Sequence, residues 1–445
     1  MTVDVARLQN TGVAGVTIAW ADNSGIPRSR TVPAAAFGDA VRHGVGITPL
    51  FAVFDSHDGI TFAHDGLPNP SGDIRLIPDS DRVTPLAGQP AFAWVPGRQA
   101  GPDGAPWPYD QRTRLEAQVA RAAAAGLSVR AGFELEFFVS LSDDGPLGAH
   151  DGPAYSPHAL LQVDDFAADV LRGLAANGVP AGQFHAEYGP SQLEVSLAPA
   201  DPVTAADRQL LARQTIHAAA RAHGLRVSFA PLVTADGVGN GLHLHVSVSR
   251  GSENLLADAG KGVPEGQGAS FLGGLVRDLP GIAGVSAPSV PSLLRRRPGY
   301  FAGAYRFWGV ENREAPLRYV PSSPFLGAGR ANVELKASDA SGNPYLALAA
   351  VLSAGLAGID DGAPLPPPVQ DDPGTWTDAQ RTEKGIALLP STPEEAERAL
   401  LASPAVAAAL GEPLLGAFTA VRRSDAAWAA DHTPEETVAA HRWLY

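Results

Sequence analysis

Apolar and polar residues alternate along several short stretches of the chain, and a period of two predicts β-strands. In the stretch LSVRAGFELEFFVS, the side chains of Phe133, Leu135 and Phe137 would share one face. Glu134 and Glu136 would share the opposite face, about 7 Å apart along the strand. The pattern predicts a strand with a core face and an acidic face, although a solvated strand face explains this stretch equally well when it is taken alone.

Longer stretches with capping signals separate the strands and predict helices. The segment YDQRTRLEAQVARAAAAG is one of them and ends at Gly126. Other predicted helices cover residues 161–177, 201–223 and 266–279, and the C-terminal region is alanine-rich and mostly helical. Other predicted strands cover residues 184–197, 225–231 and 242–249. Helices and strands mixed in this way predict an α+β fold.

The first part of the chain is predicted to contain strands and turns with little helix. A hairpin is predicted with a strand through residues 18–20, a turn at residues 23–25 and a returning strand, and VPAAAFGDAVRHG then predicts a short helix. The segment GRQAGPDGAPWP, residues 97–108, is rich in glycine and proline and predicts a domain boundary. We therefore expect a β-rich N-terminal domain over residues 1–105 and a larger α+β domain over residues 106–445.

Composition and charge narrow the classes of function. The 445 residues carry a formal net charge of −14 and include no cysteine, which excludes disulfides, thiolate metal ligands and cysteine nucleophiles. The negative charge argues against nucleic acid or an anionic membrane as a partner. The longest apolar run, residues 345–359, is shorter than the ~20 residues of a membrane span. Asn343 and Pro344 before it are typical of a helix start, so we predict a buried core helix in a soluble cytoplasmic protein.

Acidic residues and histidines recur on the other predicted strands. Glu187 and Glu194 flank a Gly-Pro turn in EYGPSQLE, and His243 and His245 share one strand face in GLHLHVS. Glu334 in VELK lies on a fourth strand. Each of these features alone is more simply interpreted as an edge carboxylate or a satisfied core histidine.

Taken together, the glutamates and histidines predict a metal centre. They occupy strands whose opposite faces are apolar, where an unpaired charged group would be costly to bury. Carboxylates with few imidazoles suit Mg²⁺ or Mn²⁺ better than tetrahedral Zn²⁺. The candidate ligands outnumber the needs of one ion, so two or three ions are expected.

Basic residues follow these strands in the sequence. They are Arg295, Arg296, Arg297, Arg306, Arg313, Arg318 and Lys336. Guanidinium groups suit phosphate and carboxylate, and hard metal ions with several arginines are typical of phosphoryl transfer. A solvated turn is the simpler interpretation of any single arginine. The sequence has neither G-x-x-x-x-G-K-[ST] nor a strand-bound G-x-G-x-x-G, so a nucleotide would have to be bound in another way.

Six motifs resemble the catalytic domain of glutamine synthetase and occur in the family's order. They are FELEFF, EYGPSQLE, GNGLHLHVS, RRRPGY, NREAPLR and VELKASDASGNPYLALAA. The early hairpin and GDIRLIPD resemble the family's β-grasp domain. The resemblance implies an N-terminal β-grasp domain, a large catalytic domain with a curved antiparallel sheet, and an ATP-dependent ligase. In that family ATP phosphorylates the γ-carboxylate of glutamate, and an amine then attacks the γ-glutamyl phosphate.

The resemblance also implies a role for each site residue. One metal ion would be held by Glu136, Glu187 and Glu194, and a second by Glu134, His243 and Glu334. The nucleotide would lie near His245, Ser247, Arg313 and Arg318, of which the two arginines would face the phosphates and the developing charge. Gly239 would approach the amino acid and Arg295 would hold its carboxylate.

The family's assembly implies a residue supplied by another subunit. Its rings of six subunits stack into dodecamers with active sites between neighbours, so a homododecamer is expected here. An N-terminal aspartate of the adjacent subunit helps to deprotonate the amine. Asp58 in FDSHDGIT is the better candidate for this role, and Asp55 is an alternative.

Two positions depart from the pattern of family members that use ammonia. Phe301 in PGYFAG stands where those members have a glutamate that helps to form the ammonium site. A phenyl ring suits an apolar or larger amine. Lys336 stands where the family has its last substrate arginine, so bidentate contact with the acyl substrate is lost. NREAPLR and the VELK motif also resemble the branch that makes γ-glutamyl amides of organic amines.

We therefore predict an ATP- and Mg²⁺- or Mn²⁺-dependent ligase that joins glutamate to an organic amine through γ-glutamyl phosphate. The alternatives are a glutamine synthetase that uses ammonia, and an inactive family member that acts as a regulator or scaffold. The complete set of six predicted metal ligands argues against the inactive member. The sequence does not identify the amine.

Overall fold

The computed structural model describes residues 12–141, 145–258, 260–325 and 327–445. Its first sheet lies in the N-terminal part. The strands of this sheet are β1 (Gly15–Ala21), β2 (Pro27–Pro33), β3 (Val45–Ile47), β4 (Ile74–Pro78), β5 (Thr84–Pro85) and β6 (Phe92–Ala100). Their order is β2-β1-β6-β4-β3, with β5 paired to β6, and α1 (Phe37–His43) packs against β4.

The predicted N-terminal hairpin and short helix are confirmed. β1 and β2 pair antiparallel, and the Asp22 carboxylate accepts the N–H groups of Ser24 and Ile26 in the turn between them. Gly25 has φ +69°, a conformation that favours glycine. The turn is therefore specified by its own residues.

The glycine- and proline-rich segment over residues 97–108 begins inside a strand, because residues 97–100 belong to β6. They pair antiparallel with β4. At Gly97 an added Cβ would lie 2.6 Å from Leu76 Cδ1 and 2.8 Å from Ile18 Cγ2, so this glycine permits close packing inside the sheet rather than a turn. The division of the chain near residue 105 stays a prediction.

The second sheet carries the strands on which the acidic residues were predicted. These strands are β7 (Ser128–Ser140), β8 (Ala181–Ala186), β9 (Gln192–Leu197), β10 (Arg226–Ser228), β11 (Leu242–Arg250), β12 (Glu253–Asn254), β13 (Trp308–Val310), β14 (Leu317–Val320) and β15 (Asn332–Leu335). The order is β13-β14-β15-β11-β7-β9-β8, with β10 on β7 and β12 on β11. Among the described strands of this sheet only β13 and β14 pair parallel, so the predicted antiparallel sheet is antiparallel apart from one edge.

The strands predicted over residues 184–197, around a Gly-Pro turn, are β8 and β9. β8 and β9 form a hairpin whose turn is closed by Glu187 N–H donating to Gln192 O (2.8 Å) and Gln192 N–H donating to Gly189 O (3.1 Å). Ser191 has φ +60° in this turn. The turn brings Glu187 back towards the strand that carries Glu194, which a single straight strand would not do.

Helices cover the sheet and form the C-terminal region. They are α2 (Gln111–Ala124), α3 (Pro157–Leu161), α4 (Asp164–Ala176), α5 (Pro202–Ala222), α6 (Gly266–Ser286), α7 (Val290–Arg295), α8 (Pro344–Asp361), α9 (Asp378–Glu383), α10 (Pro393–Leu401), α11 (Pro404–Leu410), α12 (Leu414–Ala430) and α13 (Pro434–His441). Short 3₁₀ turns lie at Ala34–Ala36, Pro49–Val53, Ser80–Arg82, Ala328–Arg330 and Pro373–Thr375. The predicted α+β class is thereby confirmed, and α6 continues past its predicted end at residue 279 to Ser286.

The predicted core helix is α8, and it packs against α6. The Asn343 side chain accepts the N–H groups of Tyr345 and Leu346, as an N-cap does. The Asn343 amide nitrogen also donates to the carbonyl oxygens of Ala21 and Asp22, at 3.0 and 2.9 Å. A Cβ at Gly355 would lie 2.2 Å from the Phe271 ring, so close helix packing requires glycine there.

Within the described ranges, no single helix is long and apolar enough to cross a membrane. α11 and α12 are long and apolar enough only when they are counted together, and the chain bends by 98° between them.

Candidate active site

The polar faces of neighbouring strands in the second sheet meet at one place. In the strand register, Glu134 of β7 lies opposite His243 of β11, and Glu334 of β15 lies opposite His245. Glu136 lies opposite Glu194 of β9. The intervening residues of these strands are buried, so the alternation seen in the sequence separates a core face from a charged face as predicted.

This charged face forms the floor of a pocket of about 640 Å³. Most of the predicted site residues line the pocket. They are Glu134, Glu136, Glu187, Glu194, Gly239, His243, Arg295, Phe301, Arg313, Arg318, Glu334 and Lys336. His245 and Ser247, which continue the same face of β11, are not among the lining residues, and neither is Asp58.

Three groups of side chains bring ligand atoms within 4.8 Å of one another. The groups are Glu134, Glu194 and His243; Glu134, His245 and Glu334; and His185, Glu187 and Glu194. Glu136 is in none of these groups; its Oε2 accepts Gly241 N–H at 2.7 Å and the Gln192 side chain at 3.2 Å, and its Oε1 lies 3.5 Å from His243 Nε2. The structure thus groups the predicted ligands differently from the two sets that the resemblance implied.

The surroundings act differently on the carboxylates of the pocket: burial and the charge of Glu136 raise the pKa of Glu187, whereas the pKa of Glu334 is lowered. Burial alone would raise the pKa of Glu334, but the positive charges of His243 and Lys336 outweigh it and hold this pKa at about 2. Burial opposes protonation of His245, yet the hydrogen bond to Glu134 and the charge of Glu334 raise its pKa to about 9. The ionised carboxylates are donors that hard divalent cations prefer, and a histidine that joins them must first release its proton.

Several pocket residues were missed in the sequence. His185 pairs with Glu194 at 3.4 Å, and the hydrogen bond between them raises the pKa of His185 to about 9. In the sequence, its position two residues before Glu187 could have indicated that His185 shares the acidic face. Tyr155, Tyr188 and Tyr300 also line the pocket, and no strand periodicity marks them.

The basic residues divide into several environments. Arg295 is buried, and its Nη2 donates to Ser338 O at 3.0 Å, while Arg318 pairs with Glu334 at 3.0 Å. Arg296 is also buried and donates to Pro390 O, so the interpretation of Arg296 as a solvated residue is wrong. The Arg297 guanidinium stacks over the Tyr300 ring at 4.3 Å. Arg306 is exposed and lines a different pocket, beside Trp376 and Lys384.

Asp58 and Asp55 have different surroundings. The Asp55 carboxylate accepts the N–H groups of His57 and Gly59 and the hydroxyl of Ser424. The Asp58 side chain is 68% exposed, has φ +61° at its backbone and pairs with Arg28 at 2.7 Å. Asp55 is therefore occupied by its own loop and by Ser424 of α12, whereas Asp58 is exposed.

The fold and pocket define a class of enzyme whose site combines clustered carboxylates with arginines on a largely antiparallel sheet. A family model described as "Glutamine synthetase, catalytic domain" matches residues 108–438. The gamma-glutamylpolyamine synthetase GlnA3 of Streptomyces coelicolor is 42% identical over 99% of this chain and 95% of its own length. The glutamine synthetase of Thermus thermophilus is 32% identical over 77% of this chain and 76% of its own length.

Solved structures agree with these sequence comparisons. A structure described as a novel glutamine synthase homolog superposes with a TM-score of 0.86 at 32% identity, covering 97% of this chain and 99% of that one. A complex of GmaS with ADP gives a TM-score of 0.84 at 27% identity, covering 97% and 98%. The chain belongs to the glutamine synthetase family. The predicted resemblance, the fold class and the prediction of a ligase are thereby confirmed.

Proposed function

We propose that this protein uses ATP to join glutamate to an organic amine, forming a γ-glutamyl amide through γ-glutamyl phosphate. The observation that carries the proposal is the Phe301 ring, which is 62% exposed and lines the pocket that holds the five glutamates. A carboxylate at this place would attract a small ammonium ion, whereas a phenyl ring favours a larger organic cation. The similarity to a gamma-glutamylpolyamine synthetase supports the same choice.

The donor set fits Mg²⁺ or Mn²⁺, two or three ions in each site. The residues that would hold them are Glu134, Glu136, Glu187, Glu194, His243 and Glu334, and His185 joins this set by its place beside Glu187 and Glu194. Arg318, Lys336 and the histidines offset part of the negative charge of the five glutamates, and divalent cations between the carboxylates would offset more of it. When bound, such ions neutralise the charge of the ATP phosphates and of the transferring group.

The basic residues of the pocket orient the acidic substrates. Arg295 lines the pocket and would hold the glutamate carboxylate, with Gly239 beside it and Lys336 nearby. Arg313 and Arg318 would counter the charge of the phosphates, and the nucleotide would extend towards the part of β11 that carries His245 and Ser247. The roles of these residues follow from the chemistry of guanidinium with carboxylate and phosphate.

The reaction then consists of two displacements. A γ-carboxylate oxygen of glutamate attacks the γ-phosphorus of ATP, and ADP leaves. The amine nitrogen attacks the carbonyl carbon of the γ-glutamyl phosphate, inorganic phosphate leaves, and the amine gives up a proton. The exposed Asp58 would accept this proton at the site of a neighbouring subunit. Water must be kept out, because it would hydrolyse the acyl phosphate.

Aromatic side chains form a rim around the pocket mouth, which we call the aromatic rim. Its members are Tyr155, Tyr188, Tyr300 and Phe301, each between 48% and 67% exposed. Tyr155 donates its hydroxyl to Glu187 at 3.0 Å, next to the acidic floor. Aromatic faces bind organic ammonium groups and pack against alkyl chains, so the rim supports an amine larger than ammonia.

The assembly and location that we propose follow from the family. A homododecamer of two stacked hexameric rings would bring Asp58 of one subunit to the pocket of the next. We also propose that the protein is cytoplasmic, that it binds neither nucleic acid nor membrane, and that its β-grasp domain covers residues 1–105.

Gly239→Ala is expected to raise the KM for glutamate about tenfold, because a misplaced contact weakens substrate orientation. The added Cβ would lie 2.4 Å from Arg295 Cγ and Cδ and 2.6 Å from Pro231 O, so Arg295 must move. The KM for ATP is expected to change less than about twofold. Gly145→Ala, where a Cβ meets nothing within 4 Å, is the control. An unchanged KM for glutamate would show that Arg295 does not hold this substrate.

The function itself is tested by measuring ADP release and product mass with glutamate, ATP and Mg²⁺ or Mn²⁺. We expect ADP release to require an added amine and the product to have the mass of the γ-glutamyl amide. Glutamine formed from ammonium alone, with no amide from any organic amine, would favour a glutamine synthetase. Binding of ATP without turnover in the presence of every amine would favour an inactive family member.

A further inference from the structure

A buried carboxylate faces the arginine that would hold glutamate. Asp339 is 1% exposed and Arg295 is 6% exposed. Asp339 Oδ2 lies 3.8 Å from Arg295 Nε, and neither atom has a hydrogen-bond partner among the described residues. Within the same ranges, Asp339 is the one carboxylate that pairs with Arg295. Because an unpaired buried charge would be costly, Asp339 supplies the balancing charge for this guanidinium.

The carboxylate of Asp339 is itself held in one orientation. Ser341 donates its backbone N–H and its hydroxyl to Asp339 Oδ1, at 3.1 and 2.6 Å. The backbone N–H of Asp339 donates to Ser286 O at 3.1 Å, which joins this turn to the last residue of α6. Since Oδ1 is engaged twice, Oδ2 is the oxygen that is left for Arg295.

Two further contacts fix the path of the Arg295 side chain. Its Nη2 donates to Ser338 O at 3.0 Å, and the same carbonyl oxygen accepts the N–H of Leu242, the first residue of β11, at 3.1 Å. The backbone at Gly239 is so close that a Cβ there would lie 2.4 Å from Arg295 Cγ and Cδ. With Nε beside Asp339 and Nη2 bound to Ser338, Nη1 is left to bind a carboxylate in the pocket that Arg295 lines.

We propose that Asp339 is a positioning residue for glutamate binding, whose carboxylate orients the Arg295 guanidinium towards a carboxylate of the substrate. The use of Arg295 for glutamate rests on the proposed function, whereas its pairing with Asp339 does not. The separation of 3.8 Å is longer than a hydrogen bond, and such contacts tighten when a substrate fills the site. A guanidinium held at the wrong angle loses its directed contact with a carboxylate, so Asp339 determines the affinity for glutamate.

The variant Asp339→Asn tests this orientation with little change in volume. The amide oxygen can still accept both Ser341 donors, so the amide nitrogen then faces the Arg295 guanidinium, donor to donor. We expect the KM for glutamate to rise about tenfold, while kcat stays within about threefold and the KM values for ATP and amine within about twofold. A KM for glutamate close to that of the wild type, or an equal rise in all three KM values, would overturn the proposal.

The matched control is Asp278→Asn. Asp278 is 6% exposed, accepts the Ser403 hydroxyl at 2.8 Å and pairs with Arg277 at 2.9 Å, but it does not line the pocket. Its melting temperature is expected to lie within about 5 °C of that of Asp339→Asn, because both variants lose a buried charge. Its KM for glutamate is expected to stay within about twofold of the wild type. A rise as large as that of Asp339→Asn would show a general effect of lost stability and would overturn the proposal.

A double-mutant cycle tests whether Asp339 acts through Arg295. Arg295→Lys keeps the charge but loses the planar fork, and we expect it to raise the KM for glutamate about thirtyfold. Adding Asp339→Asn is expected to leave the rise at about thirtyfold, because the guanidinium that Asp339 orients is already gone. A rise of about three hundredfold, the product of the two single effects, would show independent roles and would overturn the proposal.

If Asp339→Asn fails to fold, Ser341→Ala replaces it. This variant removes the hydroxyl that holds Asp339 Oδ1 but keeps the carboxylate, so the KM for glutamate is expected to rise about threefold. An unchanged KM for glutamate would overturn the proposal.

The KM for glutamate is measured in parallel with an organic amine and with ammonium, so that the two proposals fail separately. If ammonium alone turns over, the proposed function fails, and a tenfold rise for Asp339→Asn measured with ammonium still supports the role of Asp339. If no amine turns over, the calorimetric Kd for glutamate with Mg²⁺ and ADP replaces the KM, with the same expected rise. If organic amides form and Asp339→Asn keeps the wild-type KM for glutamate, the role of Asp339 alone is overturned.

Discussion

Replacing Glu134 by glutamine is expected to lower kcat/KM for amide formation at least about a thousandfold, which corresponds to about 4 kcal/mol of transition-state stabilisation. Glu134 belongs to two of the three groups of ligand atoms in the described pocket, and its carboxylate lies 3.4 Å from His243 Nδ1 and 3.3 Å from His245 Nε2. The substitution keeps the side-chain volume but removes the negative charge. His243, His245 and two groups of ligand atoms all lose this carboxylate. Initial rates of ADP release at subsaturating amine, with glutamate and ATP saturating, report the loss in kcat/KM.

The control for this prediction is Glu253→Gln, which changes an exposed glutamate of the short strand β12 in the same sheet. The control is expected to keep its full rate. Glu134→Gln is expected to keep a melting temperature within about 5 °C of the wild type, because the side-chain volume is conserved. A folded Glu134→Gln variant with more than about a tenth of the wild-type kcat/KM would show that the acidic floor is not the catalytic centre.

Replacing Phe301 by glutamate is expected to shift the ratio of kcat/KM for ammonium to that for the organic amine by about thirtyfold or more, in favour of ammonium. The ring's contribution to binding an organic cation, about 0.5–2 kcal/mol, is lost, and a carboxylate at the pocket mouth attracts the small ion with about 1 kcal/mol or more. Phe301 already has a positive φ of 53°, so another non-glycine residue adds no new backbone restriction.

Two further variants make the Phe301 experiment specific. Phe301→Leu keeps an apolar side chain without a ring and is expected to lose about twofold to thirtyfold in kcat/KM for the organic amine, with no gain for ammonium. Phe325→Glu changes a phenylalanine that is 99% exposed and does not line the pocket, and it is expected to change neither value. If Phe301→Glu leaves the ratio unchanged, residue 301 does not select the amine.

Much of the acidic floor could be predicted because strand periodicity determines which side chains share a face. Glu134 and Glu136, like His243 and His245, are two residues apart within one strand, so their common face followed from the sequence alone. The apolar residues between them are buried as the pattern required. The distribution of ligands was harder to predict, because it depends on register between strands: His185 meets Glu194 only through the β8–β9 hairpin.

Other features depend on contacts between distant segments, which no local pattern records. Tyr155 reaches Glu187 from a loop before α3, and its position cannot be inferred from spacing. Gly97 was assigned to a domain boundary because glycine and proline are frequent in turns. In the structure, tight packing against Leu76 explains why glycine occupies this position.

The central claim is that an organic amine, and not ammonia, is the preferred nitrogen donor, and a competition experiment tests it most directly. Wild-type protein is incubated with glutamate, ATP, Mg²⁺ and equal concentrations of ammonium and one organic amine, in parallel for mono-, di- and polyamines. The ratio of γ-glutamyl amide to glutamine in each mixture gives the ratio of the two kcat/KM values. We predict that at least one organic amine yields about ten times more amide than glutamine. Glutamine as the main product in every mixture would contradict the account.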